Sequence, residues 1–286
     1  MIVITGATGQ LGRLVIDRLL ALGVEPGRIV AAVRTPAKAA DLAARGVVVR
    51  ECDYTRPDTL TTAFAGAERV LLISSNELGD RIPQHRAVID AAKAVGVGQL
   101  VYASVLHADR STLGLAGEHR ETEALITASG LTHVLLRNGW YVENYLAALP
   151  QALAHGAFLG SAREGRISWA ARADYAHAAA AVLSQPIGPN AVFELAGDQA
   201  HTLAALAAEV GRQSGKPVVY KDLPRADFQR FLLDAGLPAP LAELLADSDE
   251  QAADGALFDD SGDLTRLIGR PTTTLDVAVR AALAAA

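Results

Sequence analysis

The sequence predicts an α/β protein with a Rossmann-type, doubly wound parallel sheet and a smaller, mostly helical C-terminal lobe. Two observations carry this prediction. Over about the first 135 residues, short β-branched runs alternate with amphipathic helical segments, as in a parallel sheet that is covered on both faces. A glycine-rich turn directly follows the first of these runs and opens the first helical segment.

Six runs have strand character, and five helical stretches lie between them. The strands are predicted at residues 2–5, 28–33, 47–51, 70–74, 100–104 and 133–137. The helices are predicted at residues 10–22, 37–45, 56–65, 81–95 and 116–129. Thr55 and Asp58 form a capping-box pattern around Pro57, and Asp80 precedes the fourth helix.

The alternation ends after residue 137, and the second part of the chain is predicted to be mostly helical. Further helices are predicted at residues 145–155 and 174–184, after Thr202, and in three stretches separated by Pro224, Pro238 and Pro271; strands are predicted at 192–195 and 218–220. We therefore expect a Rossmann domain at 1–137, rejoined by about 157–199, and a smaller substrate-side lobe from 138–156 and 200–286.

Composition excludes several classes of protein. The 286 residues carry 26 Lys and Arg against 32 Asp and Glu, a net charge of −6, and no basic stripe, which argues against nucleic-acid binding. The chain opens directly into a strand, and its longest charge-free stretch contains too many polar residues to span a bilayer, so no stable membrane insertion is expected. The single cysteine, Cys52, favours a cytoplasmic location.

The segment Gly6-Ala7-Thr8-Gly9-Gln10-Leu11-Gly12 is the most specific signal in the chain. Its GxxGxxG spacing predicts a dinucleotide site. The first two glycines allow a tight turn and close approach of backbone amides to a pyrophosphate, while Gly12 allows the helix to pack against the strand. The alternative is a tight turn with a structural role alone.

Two cations at the end of the second predicted strand indicate which dinucleotide is preferred. An NAD-binding protein places an acidic residue about here to hold the ribose 2′-hydroxyl. This chain has Arg34 instead, with Lys38 following, and no nearby Asp or Glu takes the place of that acidic residue. Both cations would suit a 2′-phosphate, so we expect NADP(H) rather than NAD(H). The alternative is that both are ordinary solvated charges.

Four segments carry a family resemblance: ITGATGQLG, VRTPAK, LLISSNELGDR and LRNGWYVENY. They resemble the NmrA-like atypical branch of the short-chain dehydrogenase/reductase family, and within it the bacterial NAD(P)H:quinone oxidoreductases of type 2. The likeness covers essentially the whole chain, including AGD at 196–198, DSD at 247–249, LFDDS at 257–261 and GRPTTTL at 269–275.

The resemblance implies a role for each matching position. Gly6, Thr8, Gln10 and Leu11 would lie along the pyrophosphate, Arg34 and Lys38 at the 2′-phosphate, Asp53 at adenine, Ser74 and Ser75 beside the nicotinamide ribose, and Asn138 with Gly139 beside the nicotinamide. Thr55 already suits the helix cap, which leaves the Asp53 carboxylate for an adenine amino group. The two serines have a structural alternative as caps of the following turn or helix.

A missing pair of residues points to the reaction. Most members of the wider family reduce carbonyls with a Tyr-x-x-x-Lys pair that supplies a proton. With Glu123 setting the register, the two positions fall on Leu115 and His119. Hydride addition to a quinone gives a stabilised hydroquinone anion, which can take its proton from water. The sequence therefore favours a quinone oxidoreductase that works without this pair.

Trp140 and Tyr141 are candidate flat walls for a planar quinone, although both are equally suited to core packing. Asn144 and Tyr145 suit docking of a helix. The candidate catalytic residues are Asn138, Tyr141 and His119, with His107 and His85 as further proton donors and ordinary structural histidines as the alternative.

The sequence completes no metal site, since the cluster around Glu118 and Glu121 lacks a distant His or Cys, and Cys52 suits a core position. Two other functions stay open. One is a non-catalytic NADP(H)-sensing regulator of the NmrA-like type, and the other is a reductase of conjugated carbon–carbon double bonds. A homodimer is compatible with the sequence, which does not determine the oligomeric state.

Overall fold

The computed structural model describes residues 1–75, 77, 79–185 and 188–286. The strands in these residues are β1 (Ile2–Thr5), β2 (Ile29–Val33), β3 (Val48–Glu51), β4 (Arg69–Ile73), β5 (Gln99–Val105), β6 (His133–Asn138), β7 (Ala157–Gly160), β8 (Ala191–Leu195) and β9 (Val219–Asp222). Every strand predicted from the sequence is present, with ends shifted by up to two residues. β7 was not predicted, because four residues with one partner strand leave little periodicity to read.

Seven of the described strands form one sheet in the order β3-β2-β1-β4-β5-β6-β8. The first six are joined by parallel pairs: β1 lies between β2 and β4, with Ile2 opposite Ile29 on one side and Arg69 on the other. This order confirms the doubly wound Rossmann-type fold. Because the paired strands are parallel, their carboxyl ends lie at one edge, where a ligand of such a sheet binds.

The helices are α1 (Gln10–Ala21), α2 (Ala40–Ala44), α3 (Pro57–Phe64), α4 (Arg81–Ala94), α5 (Ala116–Ser129), α6 (Val142–Leu146), α7 (Leu149–His155), α8 (Arg172–Ser184), α9 (Leu203–Ser214), α10 (Arg225–Asp234), α11 (Ala239–Ala253), α12 (Asp263–Ile268) and α13 (Leu275–Ala285). The segment predicted as one helix at 37–45 is a 3₁₀ turn, Pro36–Ala39, followed by α2.

Proline and glycine explain two further differences from the sequence prediction. The helix expected at 145–155 is divided into α6 and α7, and α7 has Pro150 in its first turn, where proline is tolerated. The last part of the chain holds four helices rather than three. Gly262 and Gly269, both with left-handed backbone, flank α12 and separate it from its neighbours.

The predicted cap of α3 is wrong. The helix begins at Pro57 with Arg56 as its N-cap residue, and no side chain caps it. Thr55 instead donates its amide and its hydroxyl to Oδ1 of Asp53, at 3.0 and 2.8 Å. Thr202 does cap α9 as predicted, since its side chain accepts a hydrogen bond from the amide of Ala205.

The chain forms two compact units. Unit 1 consists of residues 1–105, 118–138 and 173–193, and unit 2 of residues 106–117, 139–172 and 194–286. The boundaries expected from the sequence for a cofactor domain and a substrate-side lobe stay a prediction.

Each unit has its own buried apolar cluster. In unit 1, side chains of the sheet such as Val30, Leu72 and Leu100 pack with Leu60 and Phe64 of α3, and Cys52 belongs to this core as expected. In unit 2, side chains of α10 pack against small residues of α11; they are Phe228, Leu232, Ala242 and Ala246. β7 and β9 pair in parallel as a separate two-stranded sheet.

Candidate cofactor site

The glycine-rich turn lies in unit 1, between β1 and α1. Gly6 has φ of +58°, a left-handed conformation that glycine adopts without strain. A Cβ atom on Gly12 would lie 2.6 Å from the carbonyl oxygen of Gly6 and 2.8 Å from the Cα of Ala7. Gly12 therefore permits the close packing of α1 against the turn that the spacing predicted.

Gly9 contributes differently from the prediction that the first two glycines both bend the turn. It is the N-cap of α1 with φ of −74°, which any residue adopts, and its amide donates to the carbonyl of Gly6 at 2.9 Å. The first backbone hydrogen bond of α1 runs from Arg13 to Gly9. The first amides of a helix have no carbonyl partner within that helix, and in α1 they belong to Gln10, Leu11 and Gly12. These amides suit the binding of an anion.

Arg13, which the sequence analysis did not single out, connects the turn with the segment after β2. Its guanidinium donates to the carbonyl of Thr8 at 3.3 Å and to the carbonyl of Lys38 at 3.1 Å, and it pairs with Asp41. Hydrogen bonding to Arg13 lowers the pKa of the Asp41 carboxyl. The residue directly follows the last glycine, and only the folded chain shows which carbonyls it reaches.

Arg34 and Lys38 are both exposed at the end of β2. Arg34 forms an ion pair with Glu77 at 2.8 Å, with 66% and 45% of the two side chains exposed. The other carboxylate oxygen of Glu77 accepts a hydrogen bond from Gln84. The sequence showed no acidic residue near Arg34, but Glu77 reaches it from the segment after β4, 43 positions away.

Asp53 follows β3 and is half-buried. The expectation that its carboxylate is spared by Thr55 is wrong, because Oδ1 accepts both hydrogen bonds from Thr55. The bond from the Thr55 amide is the main cause of a lowered Asp53 pKa, and Arg34 and Arg56 add to it. Its carboxylate is thus fixed and anionic, and a contact with adenine stays a prediction.

Ser74 and Ser75 follow β4 and are half-buried. Ser75 is engaged locally: its amide donates to Nε2 of His85 at 3.0 Å, its hydroxyl accepts from the amide of Glu77, and its carbonyl accepts from Arg81. These contacts agree with the structural alternative of a turn-forming serine. Because Ser74 and Ser75 directly follow β4, both lie at the carboxyl edge of the sheet.

Asn138 ends β6 and is 7% exposed. Its side-chain oxygen Oδ1 is buried and has no hydrogen-bond partner among the described residues. A buried carbonyl oxygen without a donor costs about 1–3 kcal/mol, so such an atom indicates that a donor from elsewhere is expected there. A nicotinamide carboxamide has this donor.

The residue before Asn138 is held rigidly. Arg137 donates from Nε and from a terminal nitrogen to the two carboxylate oxygens of Glu123, at 3.1 and 2.7 Å, and Ser104 also donates to Glu123. Arg137 and Glu123 are 9% and 7% exposed. A bidentate buried pair of this kind fixes the end of β6, and with it the backbone at Asn138.

His119 occupies the lysine position of the absent Tyr-Lys pair and is 4% exposed. Its Nδ1 lies 2.8 Å from the hydroxyl of Tyr102. Burial, helped by the charge of Arg81, lowers the His119 pKa well below its usual value. His85 is also buried, between Ser75 and Thr122, and its pKa is lowered to about 3. Both rings are neutral near pH 7 and serve as hydrogen-bonding partners.

His107 belongs to unit 2 and has a left-handed backbone with φ of 53°, uncommon for a residue other than glycine. Its amide donates to Glu194 at 2.8 Å, and Nε2 lies 3.2 Å from the carbonyl oxygen of Phe258. Hydrogen bonding to Glu194 raises the His107 pKa. These partners give His107 a structural role in the turn after β5.

The aromatic segment after β6 is fixed by backbone hydrogen bonds within unit 2. The amide of Gly139 donates to Leu195, and the segment at Ala170 runs beside it, accepting from Val142 and donating to Trp140. Trp140 is 8% exposed, whereas Tyr141 is half-buried. The guanidinium carbon of Arg172 lies 4.6 Å from the centre of the Tyr141 ring.

Tyr145 docks α6, in agreement with the structural interpretation of this residue. Its hydroxyl donates to Oδ1 of Asp249 at 2.8 Å, and the amide of Ser161 donates to Oδ2 at 3.0 Å. Asp249 is 3% exposed, and burial raises its pKa to about 6. Asn144 donates its amide to the carbonyl of Tyr141.

The described part of the chain contains neither a candidate metal site nor a helix that could cross a membrane. No group of three or more His, Cys, Asp or Glu side chains there is arranged to hold a metal ion. No helix of that part has the length and apolar character needed to cross a membrane. Cys52 is buried, and burial raises the pKa of its thiol to about 12, so it remains protonated.

Comparison with known families assigns the chain. Residues 6–186 match the family described as NAD(P)H-binding. The chain belongs to this NAD(P)H-binding family. The match starts at Gly6, the first residue of the glycine-rich turn, and includes β2 to β7 and α1 to α8.

Similar proteins place this member of the NAD(P)H-binding family more closely. Quinone oxidoreductase 2 of Escherichia coli is 58% identical over 275 residues, which are 96% of each chain. A crystal structure of the NADPH-dependent quinone oxidoreductase QOR2 of Escherichia coli complexed with NADPH has a TM-score of 0.95 at 56% identity, covering 99% of this chain and 100% of that one. Triphenylmethane reductase of Citrobacter sp., complexed with NADP(H), has a TM-score of 0.94 at 36% identity, covering 99% and 100%.

The residues of this family member fit the cofactor on their own geometry. Gly12 leaves room for α1 to pack closely on the turn at Gly6, the first amides of α1 suit an anion, and the buried Oδ1 of Asn138 has no donor among the described residues. All lie in unit 1, as do Arg34, Lys38, Asp53, Ser74 and Ser75.

Proposed function

We propose that this protein is an NADPH-dependent quinone oxidoreductase. One observation carries the choice of substrate class. The positions of the family's Tyr-Lys pair hold Leu115 and His119, and His119 is buried, neutral and hydrogen-bonded to Tyr102. A site without this pair suits a substrate whose reduced form needs no acid from the protein. The 58% identity with quinone oxidoreductase 2 of Escherichia coli supports the same class.

Quinones meet this requirement. The bound nicotinamide cofactor supplies a hydride. A quinone that accepts it becomes an aromatic hydroquinone anion, and a proton from water completes the hydroquinone. The protein's task is then to orient two flat rings.

In this proposal residues of unit 1 supply most of the cofactor contacts. The amides of Gln10, Leu11 and Gly12 receive the pyrophosphate at the positive end of α1, with Thr8 and Gly9 beside them. Arg34 and Lys38 bind the 2′-phosphate, and Arg13 keeps the carbonyls of Thr8 and Lys38 in place. The further contacts that we propose are Asp53 with adenine, Ser74 and Ser75 with the nicotinamide ribose, and Asn138 and Gly139 with the nicotinamide.

Trp140 and Tyr141 are the proposed flat surfaces for the quinone. Tyr141 is the more suitable, since it is half-buried and Trp140 is only 8% exposed. Their backbone is fixed by the hydrogen bonds to Ala170, so the aromatic ring does not depend on a mobile loop for its position.

The deciding experiment measures oxidation of NADPH by purified protein with and without benzoquinone, and compares a conjugated enone. Quinone-dependent loss of the nicotinamide absorbance is the expected result. Binding of NADPH without turnover of either substrate would identify a non-catalytic sensor. Faster turnover of the enone would identify a carbon–carbon double-bond reductase.

We also propose a cytoplasmic location and a homodimeric state. The single Cys52, buried and protonated, supports a reducing compartment. Sedimentation velocity would test the oligomeric state, and a monomer at micromolar concentration would refute the dimer.

A further inference from the structure

Arg172 stands out because its charge is not paired with a carboxylate among the described residues. It is half-buried at the start of α8, and its backbone amide donates to both carboxylate oxygens of Glu143, at 2.9 and 3.1 Å. Its guanidinium makes no hydrogen bond or ion pair with any described residue, and its contact is with the face of the Tyr141 ring, at 4.6 Å. Other half-buried arginines differ: Arg225 pairs with Glu243 and Glu250.

The position of Arg172 over Tyr141 is defined by the backbone. Ala170 donates to the carbonyl of Trp140 at 3.2 Å and accepts from the amide of Val142 at 3.1 Å, so two short segments run side by side. Glu143 then holds the first amide of α8. Three hydrogen bonds to backbone groups within unit 2 therefore bring the side chains of Tyr141 and Arg172 together. The cation–π contact stabilises this arrangement further.

A guanidinium over an aromatic ring keeps hydrogen-bond donors available. The cation–π attraction acts between the positive charge and the ring, so it does not require the five N–H donors of the group. The edge of Arg172 can therefore receive an anionic oxygen from a molecule beside Tyr141 while the cation–π contact is kept. Tyr141 follows Asn138 by three positions in the chain.

We propose that Arg172 is the cation that stabilises the hydroquinone oxyanion during turnover. This inference rests on the proposed quinone reductase function and names a residue for it. The quinone gains a hydride and becomes a monoanion, and the N–H edge of Arg172 donates to the anionic oxygen. A proton from water then gives the neutral hydroquinone, so Arg172 acts through charge and keeps its own proton. A Tyr-Lys pair would neutralise the anionic oxygen by donating a proton, whereas Arg172 stabilises this oxygen by its positive charge.

The test compares Arg172→Gln and Arg172→Lys with a matched control, Arg166→Gln. Arg166 is also an arginine of unit 2 over an aromatic ring, 5.8 Å from Phe258. Two properties are measured. The first is kcat with benzoquinone at saturating NADPH, and the second is the affinity for each of two naphthoquinones in the presence of NADP⁺. One is 2-hydroxy-1,4-naphthoquinone, which is anionic at pH 7, and the other is the neutral 2-methyl-1,4-naphthoquinone.

We expect Arg172→Gln to lower kcat by about 10- to 100-fold, the range of one lost charge-assisted hydrogen bond, and to weaken binding of the anionic naphthoquinone by a similar factor. Binding of the neutral naphthoquinone changes less than about threefold, because it offers no charge to the guanidinium. Arg172→Lys restores most of both losses, and Arg166→Gln has neither effect.

Two outcomes overturn the inference. Equal weakening of both naphthoquinones by Arg172→Gln would show that Arg172 only holds Tyr141. An unchanged kcat together with unchanged binding of the anion would show that it does not meet the substrate. Absence of quinone turnover in the unmodified protein would instead refute the proposed function, and the binding comparison would still decide whether Arg172 contacts an anion.

Discussion

The ion pair between Arg34 and Glu77 makes a quantitative prediction about cofactor choice. The proposed 2′-phosphate ligand is already paired, at 2.8 Å, with a carboxylate that a phosphate must displace. The informative substitutions are Arg34→Gln and Glu77→Gln, alone and together. Each removes one charge and keeps a similar side-chain size, so the effects on binding report mainly electrostatics.

The solvent exposure of Arg34 and Glu77 limits the free energy that their ion pair contributes. With 66% and 45% of the side chains exposed, the pair contributes about 0.2–1 kcal/mol. A charge-assisted contact of Arg34 with a phosphate contributes about 1.5–3 kcal/mol. The phosphate therefore wins the competition. Because the contact with phosphate replaces the pair with Glu77, the net gain is about 0.5–2.8 kcal/mol, and Arg34→Gln should raise the Kd of NADPH by about 2- to 100-fold. Glu77→Gln should lower this Kd by up to about fivefold.

Calorimetric titration of each variant with NADPH and NADH measures both effects. The Kd of NADH should change by less than about twofold, because NADH lacks the 2′-phosphate. Arg45→Gln is a matched control, since Arg45 forms a comparable exposed pair with Asp17 at 2.6 Å. Equal losses for NADPH and NADH in Arg34→Gln would refute the argument, as would weaker NADPH binding by Glu77→Gln.

Three further predictions follow from the structure. Gly12→Ala should destabilise the fold by about 1–3 kcal/mol and weaken NADPH binding, because its Cβ would lie 2.6 Å from a backbone oxygen; Gly27→Ala, which meets nothing within 4 Å, is the control in thermal unfolding and titration. Asp249 has its pKa raised to about 6 from 3.8, so the folded state holds the proton more tightly and the unfolding free energy should fall by about 3 kcal/mol as pH rises through this window; chemical denaturation of Asp249→Asn should lack this decline. If water protonates the hydroquinone, kcat should stay within about tenfold in each of three variants, and a thousandfold loss in one with intact NADPH binding would identify that residue as the acid. They are His119→Ala, Tyr141→Phe and His107→Ala.

Local pattern was sufficient to predict most of the fold and the glycine-rich turn. Alternating strands and helices determine a parallel sheet, because each run carries its own periodicity. The spacing of Gly6 and Gly12 determines the turn, since the steric reasons for glycine act over a few neighbouring residues. The loss of the Tyr-Lys pair at Leu115 and His119 is also a property of the sequence alone.

Contacts between distant segments were decided only by the tertiary structure. Glu77 meets Arg34 across 43 positions, because the strands that precede them flank β1 at one edge of the sheet. Arg172 reaches Tyr141 because the backbone of Ala170 pairs beside it. The short strand β7 exists through its pairing with β9.

The protonation of individual side chains was likewise decided by their surroundings in the fold rather than by residue type. His119 and His107 are the same amino acid, but burial lowers the pKa of the first, while a hydrogen bond to Glu194 raises that of the second. Asp249 and Asp53 each accept a hydrogen bond from an amide, but burial outweighs it at Asp249 and raises the pKa, whereas the amide of Thr55 dominates at Asp53 and lowers the pKa. The sequence determines which groups can ionise, and the packing around each group determines its charge, because solvation and neighbouring charges depend on distances that only the folded chain fixes.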